Sequence, residues 1–344
     1  MSLMLKEIAE QPAALSKTIA EERSKIERLG ATLARRDLDL IVLVARGSSD
    51  NAALFGRYLL EITTGFPVSL SAPSVHTLYQ SKLNLKRALV IGVSQSGAGE
   101  DINRVLENAR ECGAFTIGIT NEPNSAMVQL VDETLLMHGG REKSVAATKT
   151  FTGQMMLFYL LAAALSKGGR TIDCAAIPDL VARALEQKPA IIELVQRYVF
   201  MENCVVVGRG LAYANAYEFA LKLMETCYVV AERFSSADFL HGPVAMIERH
   251  FPVILFAPPG VMLPGTKDLI KRLAELRADT LAITGDLEAA AMCTRSIIMP
   301  REIDEFLAPI PYIIPAQLFA ALLAEAKGLD PDAPRSLSKV TRTL

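Results

Sequence analysis

Ser94-Gln95-Ser96-Gly97 is the stretch best suited to hold an anion. It follows the apolar run Leu89–Val93 and precedes a helical pattern that starts after Gly99, with Glu100 and Asp101 suited to the first turn. A strand that ends in small hydroxyl residues and opens a helix offers free N–H groups, a helix dipole and the Ser94 and Ser96 hydroxyls to one phosphate. An ordinary βα turn has the same composition. The stretch Ala88–Asp101 contains no Lys and no GxxxxGK[ST] spacing, which argues against a nucleotide P-loop, and a sugar monophosphate fits better than a triphosphate.

Further along, Glu218, Lys222 and Glu225 recur at i, i+4 and i+7 in an otherwise apolar pattern over Ala212–Ala231, so they share one helical stripe. The stripe is either a solvated face or a carboxylate–ammonium–carboxylate row able to supply a general base. His241-Gly242-Pro243 sits at a turn and suits proton transfer near neutral pH if it is not merely structural. The small-residue stretch Glu142–Lys149 is a helix entry, with Thr148 a candidate cap, or a loop floor for a sugar. Lys339 lies in the tail Pro334–Leu344; such a lysine is ordinarily solvated, and gains a role only where the tail folds back and the amine meets a carbonyl.

These residues need a scaffold. The region 4–36 reads as helical and broken or started at Pro12; Leu38–Ala45 reads as a strand that ends at Arg46-Gly47-Ser48-Ser49, with a helix over Asn51–Thr63. Val68–Leu70, Leu89–Val93, Phe115–Ile119 and Thr134–Met137 are further strands. The rhythm then repeats: Asn203–Val207 matches the first strand, Phe251–Ala257 matches Leu89–Val93, and Leu281–Thr284 matches Phe115–Thr120, each about 163–165 residues later. The pattern predicts two α/β units, each a parallel sheet with helices on both faces. They join between the apolar helix Phe151–Leu165 and Asn203, through Lys167-Gly168-Gly169-Arg170 and a helical segment Pro178–Tyr198. The second unit has Pro258-Pro259-Gly260 where the first has its serines, so only the first is equipped for phosphate. Ser48, Ser49, Ser94 and Ser96 converge at a switch point if their strands are neighbours.

Composition narrows the classes. A net charge of −2 without a Lys/Arg cluster, and no Trp, argue against nucleic acid as a partner. The five cysteines are scattered without CxxC, which predicts reduced thiols, a cytoplasmic location and no metal centre. Met1-Ser2-Leu3-Met4 has no signal-peptide core, Met4 is a candidate natural start, and Met155–Leu165 is too short to span a bilayer, so no membrane partner is expected.

From Lys6-Glu7-Ile8-Ala9-Glu10-Gln11-Pro12 to the C-terminus, the chain resembles the isomerase half of glucosamine-fructose-6-phosphate aminotransferase, a pair of tandem sugar isomerase (SIS) domains. Ser94-Gln95-Ser96-Gly97, Ala146-Ala147-Thr148-Lys149, Leu221-Lys222-Leu223-Met224-Glu225, His241-Gly242-Pro243 and Asp332-Ala333-Pro334-Arg335-Ser336-Leu337-Ser338-Lys339 carry the resemblance, in that order. It implies flavodoxin-like three-layer domains: a helical segment over 1–34, a first SIS domain over 35–170 with the phosphate site, a second over 171–330, and a closing tail over 331–344. By the same resemblance Ser49, Ser94, Gln95 and Ser96 hold the 6-phosphate, Val145 and Ala147 line the sugar, and Ser48 and Gly99 count among the substrate-binding residues. Glu225 moves a proton between C1 and C2 beside Lys222, His241 assists ring opening, and Lys339 closes the site or forms an imine. The His loop comes from the partner subunit in this family, which implies a homodimer with shared sites.

Three positions depart from the synthase: Arg46 replaces Cys, Gly99 replaces a phosphate-contacting Thr, and Ala147 replaces Ser. No glutaminase domain with an N-terminal Cys precedes Lys6, and Glu142–Lys149 is closer to the stand-alone branch, the second type of glucosamine-6-phosphate deaminase. The expected activity is therefore that of an aminosugar-phosphate deaminase/isomerase, turning glucosamine 6-phosphate into fructose 6-phosphate and ammonia without cofactor or metal. The alternatives are a fructosamine-6-phosphate deglycase or other phosphosugar isomerase, and a sugar-phosphate sensor without turnover.

Overall fold

The computed structural model describes residues 1–166 and 172–339. The joining stretch Lys167-Gly168-Gly169-Arg170 and the last five residues of the tail lie outside the described residues. The chain divides into two compact units. One holds the described residues of Ala13–Glu142, Lys149–Ala175 and Ser338–Leu344; the other holds Met1–Pro12, Lys143–Thr148 and Ala176–Leu337.

The first of these units is built on five parallel strands, β1 (Leu40–Val44), β2 (Val68–Leu70), β3 (Ala88–Val93), β4 (Phe115–Thr120) and β5 (Glu133–Leu136), in the order β2-β1-β3-β4-β5. β3 and β4 are buried along their whole length, which explains why neither carries a charged residue. Leu106, Ile102 and Val105 of the helix Glu100–Glu111 pack with Val42, Val44 and Val90. The helices Ser48–Thr64 and Lys149–Leu165 pack together so closely that a Cβ on Gly56 would stand 2.6 Å from the Phe158 ring. Phe55 and Tyr159 meet beside that contact with ring centroids 5.0 Å apart.

The second unit carries β6 (Asn203–Gly208), β7 (Val230–Ser235), β8 (Pro252–Phe256), β9 (Asp279–Thr284) and β10 (Arg295–Ile298), also all parallel. Read from β7, the order β7-β6-β8-β9-β10 repeats that of the first sheet. The repeat reaches individual hydrogen bonds. Thr120 ends β4, donates from Oγ1 to the Gln95 carbonyl and accepts the Glu122 N–H; Thr284 ends β9, donates to the Ala257 carbonyl and accepts the Asp286 N–H. Helix Tyr213–Cys227 lies against the apolar helix Pro309–Ala326, with Phe219 edge-on to Phe319 at 5.7 Å. Pro309–Ala326 is long and apolar enough to cross a membrane, yet 89% of it is buried in this core.

Several elements differ from the sequence reading. The stretch Ala212–Ala231 is not one helix: it stops at Cys227, where Tyr228 takes a left-handed φ of 57°, and β7 begins at Val230. β7 and β10 go unannounced in the sequence, because both carry exposed charged positions that mask their strand character. The helix expected from Asn51 begins at Ser48, directly after the left-handed Gly47, so Ser48 and Ser49 belong to its first turn. Pro178–Tyr198 is two helices, Ile177–Leu185 and Lys188–Val195, with a short 3-10 turn after them.

Candidate functional site

β1 and β3 are direct neighbours, Val44 opposite Gly92, so the chain leaves both strands at the same edge of the sheet. This is the point where the strand order reverses, and open parallel sheets bind ligands there. Ser48 and Ser49 follow β1 and Ser94-Gln95-Ser96 follow β3, as their convergence requires. Ser94 is 8% exposed, and its Oγ accepts the Gly97 N–H at 3.1 Å. Ser96 Oγ accepts the Ala98 N–H at 3.3 Å. Gly97 sits at φ 60°, and a Cβ there would approach Ser125 Oγ to 2.1 Å, so only glycine closes this turn. Ser49 is held by Gln154, whose Nε2 donates to its Oγ at 2.8 Å. The interhelical contact at Gly56 is what brings that amide to the serine.

Gly99 directly precedes the helix Glu100–Glu111 and offers no side chain to cap it. Arg46 does not extend a free charge over the crevice. Its Nε binds Asp101 Oδ2 at 2.7 Å, and that carboxylate is 1% exposed. Burial also pushes the Asp50 carboxyl above its usual range, against the lowering influence of Arg46.

In the other unit the stripe on Tyr213–Cys227 is not a solvated face. Lys222 is 1% and Glu218 0% exposed in their side chains, while Glu225 keeps 23%. Lys222 Nζ stands 3.4 Å from Glu218 Oε1 and also donates to Glu225 Oε2. A buried ammonium between two carboxylates is costly unless paired, and here the pairing leaves Glu225 as the member that reaches solvent. Val145 and Ala147 are half-buried while Ser144, Ala146 and Thr148 are buried, so alternation turns the first two outward. Glu7 fixes this stretch by accepting the Lys143 and Ser144 N–H groups at 2.5 and 3.2 Å. His241 ends the short helix Ser236–Leu240, is exposed, and its ring has no hydrogen-bond partner among the described residues.

Lys339 is not a free tail lysine. Its Nζ lies 2.6 Å from Glu142 Oε2, within the same unit. Among the described residues no group of His, Cys, Asp and Glu could hold a metal ion.

The crevice of the second sheet, between β6 and β8, is furnished differently. Arg209-Gly210 follows β6 as Arg46-Gly47 follows β1, with Gly210 at φ 58° and Gly47 at 57°. There the Val261 N–H donates to Glu305 Oε2 at 2.7 Å, and a Cβ on Gly260 would overlap that carboxylate.

Two copies of one fold with matched strand order have a counterpart among known proteins: residues 36–164 and 201–325 each match the SIS domain. The chain belongs to the SIS domain family. It is 36% identical over 353 residues to a glutamine–fructose-6-phosphate aminotransferase [isomerizing] of Gloeobacter violaceus, covering 98% of this chain and 58% of that relative. This SIS chain thus spans little more than half the length of the curated relatives it matches. A structure from Silicibacter pomeroyi DSS-3, described as a phosphosugar isomerase, superposes with a TM-score of 0.86 at 31% identity, covering 96% of this chain and 100% of that one. The C-terminal domain of glucosamine-fructose-6-phosphate aminotransferase from Francisella tularensis gives 0.86 at 27% identity, covering 97% and 98%.

Sequence reasoning overlooks three supporting residues of this SIS chain. Gln154 is a lone amide inside the apolar run Phe151–Leu165, 1% exposed, and that polar intruder is a readable signal. Asp101 reads as a helix-start residue, but it also neutralises Arg46. Glu142 reads only as part of a motif, and nothing in the sequence links it to Lys339, 197 residues away.

Proposed function

We propose that the protein is an aminosugar-phosphate deaminase/isomerase that converts glucosamine 6-phosphate and water into fructose 6-phosphate and ammonia. The observation that carries the reading is the buried Glu218–Lys222–Glu225 row, with Glu225 alone partly open. A carboxylate fixed by a buried ammonium and still reachable from solvent is suited to move a proton between adjacent carbons. The neutral cradle of Ser49, Ser94, Gln95 and Ser96 at the β1/β3 crevice supports a phosphate monoester as the group recognised. Family membership supports a phosphosugar.

In this scheme hydroxyls and amides of the first SIS domain hold the 6-phosphate, and Val145 and Ala147 lie along the sugar. His241 assists ring opening to the aldehyde. Glu225 takes the proton from C2 and returns it at C1, while a second proton passes from the amine nitrogen to O1, so the 2-amino aldehyde becomes a 1-hydroxy 2-imine. Water adds at C2, ammonia departs, and the ketone remains; the sequence is redox-neutral. Lys222 holds Glu225 in place, and Lys339 supplies an amine to the carbonyl or closes over it. The exposed His241, whose ring has no partner among the described residues, supports a homodimer in which this loop serves a second copy of the chain. The proposed domains are those of the sequence reading, 35–170 for phosphate and 171–330 for proton transfer. The reading places the protein in the cytoplasm, where its free cysteines stay reduced.

The test is to incubate the protein with glucosamine 6-phosphate and follow ammonia and fructose 6-phosphate together. Equal amounts of both support the reading. Isomerisation without ammonia, or inertness toward this and other aminosugar phosphates, rejects it.

A further inference from the structure

Glu142 is a carboxylate with no side-chain exposure, at the entry of the helix Lys149–Leu165. Its Oε1 accepts the Thr150 N–H at 3.1 Å, and its Oε2 accepts the Thr150 hydroxyl at 2.7 Å. Those bonds cap the helix, but a cap needs no charge, because Ser, Thr or Asn serve equally well. A fully buried carboxylate is costly unless a cation and hydrogen bonds compensate it. The structure brings Lys339 to it: Nζ stands 2.6 Å from the same Oε2 that Thr150 holds. One oxygen is thus fixed from the helix side while it receives the ammonium.

We propose that Glu142 is the positioning residue for Lys339, holding the tail amine at one fixed place in the first SIS domain. This rests on the reading in which Lys339 acts on the substrate carbonyl. Thr150 sets the carboxylate, the carboxylate sets the amine, and the amine meets substrate without first searching as a mobile tail residue. Pre-placing a reacting group in this way removes an entropic cost from the transition state.

Glu142→Gln separates this role from capping, since the amide oxygen still accepts the Thr150 N–H while the charge is gone. Two readouts are taken on the intact protein. The first is amide hydrogen exchange in the peptide Asp332–Lys339, expected to speed up at least fivefold in Glu142→Gln and in Lys339→Met alike. The second is turnover of glucosamine 6-phosphate. Glu142→Gln and Lys339→Met should each lower kcat at least tenfold with little change in KM, and the double variant should be no slower than Lys339→Met alone. Glu142→Asp, which keeps the charge on a shorter stem, should recover part of the loss.

Unchanged tail exchange in Glu142→Gln overturns the proposal, as do losses in kcat that multiply in the double variant. Full activity in Lys339→Met would instead reject the role given to Lys339 in the reaction, and the exchange experiment would still decide whether Glu142 holds it. If the protein does not turn over this substrate at all, exchange alone carries the test.

Discussion

Replacing Glu225 by Gln tests the proton-transfer scheme most directly, because it removes one function while sparing the surrounding fold. Lys222 is buried between two carboxylates, and in the variant Glu218 at 3.4 Å remains to neutralise it. The amide oxygen that replaces the carboxylate can still accept from Lys222, so the stability loss should be about 1–2 kcal/mol, the order of one charge-assisted hydrogen bond made neutral. The kinetic effect should be much larger. Loss of a positioned general base costs about 10²- to 10⁴-fold. At about 1.4 kcal/mol per tenfold that is roughly 3–5 kcal/mol of transition-state stabilisation. The assay pairs kcat for fructose 6-phosphate formation with calorimetric binding of the sugar phosphate and a thermal melt. The expected result is a collapse of kcat, affinity within about threefold of the parent, and a folded protein. Lys222→Met is the contrast: it takes the ammonium from between Glu218, which is fully buried, and Glu225, which is partly open, and should cost about 3–5 kcal/mol of stability. A Glu225→Gln protein that turns over within threefold of the parent would refute the assignment. So would a variant whose lost rate tracks lost binding.

Other perturbations bear on the phosphate crevice and on the second sheet. Ser94→Ala removes both a candidate phosphate donor and the acceptor for the Gly97 N–H, and should raise KM roughly 10- to 100-fold with kcat nearly kept; a rise in kcat/KM would oppose the crevice reading. Gly97→Ala forces a side chain into a left-handed turn against Ser125, and should lower thermal stability and phosphate affinity together; a melt and a phosphate titration check it. Asp286 accepts the Ala289 N–H and pairs with Lys267, and these hold its carboxyl below the usual range, the backbone bond most strongly. A depressed folded value stabilises above the unfolded carboxylate range and is lost as pH falls through the folded one, so Asp286→Asn should flatten the acid limb of stability below about pH 4. Burial pushes the Cys227 and Cys174 thiols up to about 11, so at about pH 8 a thiol reagent should modify the partly exposed Cys112 well before either.

How far the sequence reveals this protein depends on the range of the interaction. β3 and β4 announce themselves because both faces are buried and every position is apolar or small. The duplication is legible for the same reason, since strand ends recur at a constant separation. β7 is hidden because Glu232 and Arg233 interrupt its apolar positions at the sheet edge and extend the helical look of the preceding segment. The stripe of Glu218, Lys222 and Glu225 is visible as spacing, but spacing is the same for a solvated face and a buried row; only packing against the helix's neighbours separates them. Arg46 illustrates a different limit. Its charge is obvious, while its neutralisation by Asp101 depends on the helix after β3 returning beside the end of β1. The link from Glu142 to Lys339 follows from tertiary folding alone.

Glu305, folded onto the Val261 amide, gives the second crevice an anion of its own making. A tandem architecture would suggest two equivalents of sugar phosphate per polypeptide, but the resident carboxylate already occupies the donor that a visiting phosphate would need. Titration should therefore saturate at one equivalent per chain, and Glu305→Ala is the change that would make room for a second.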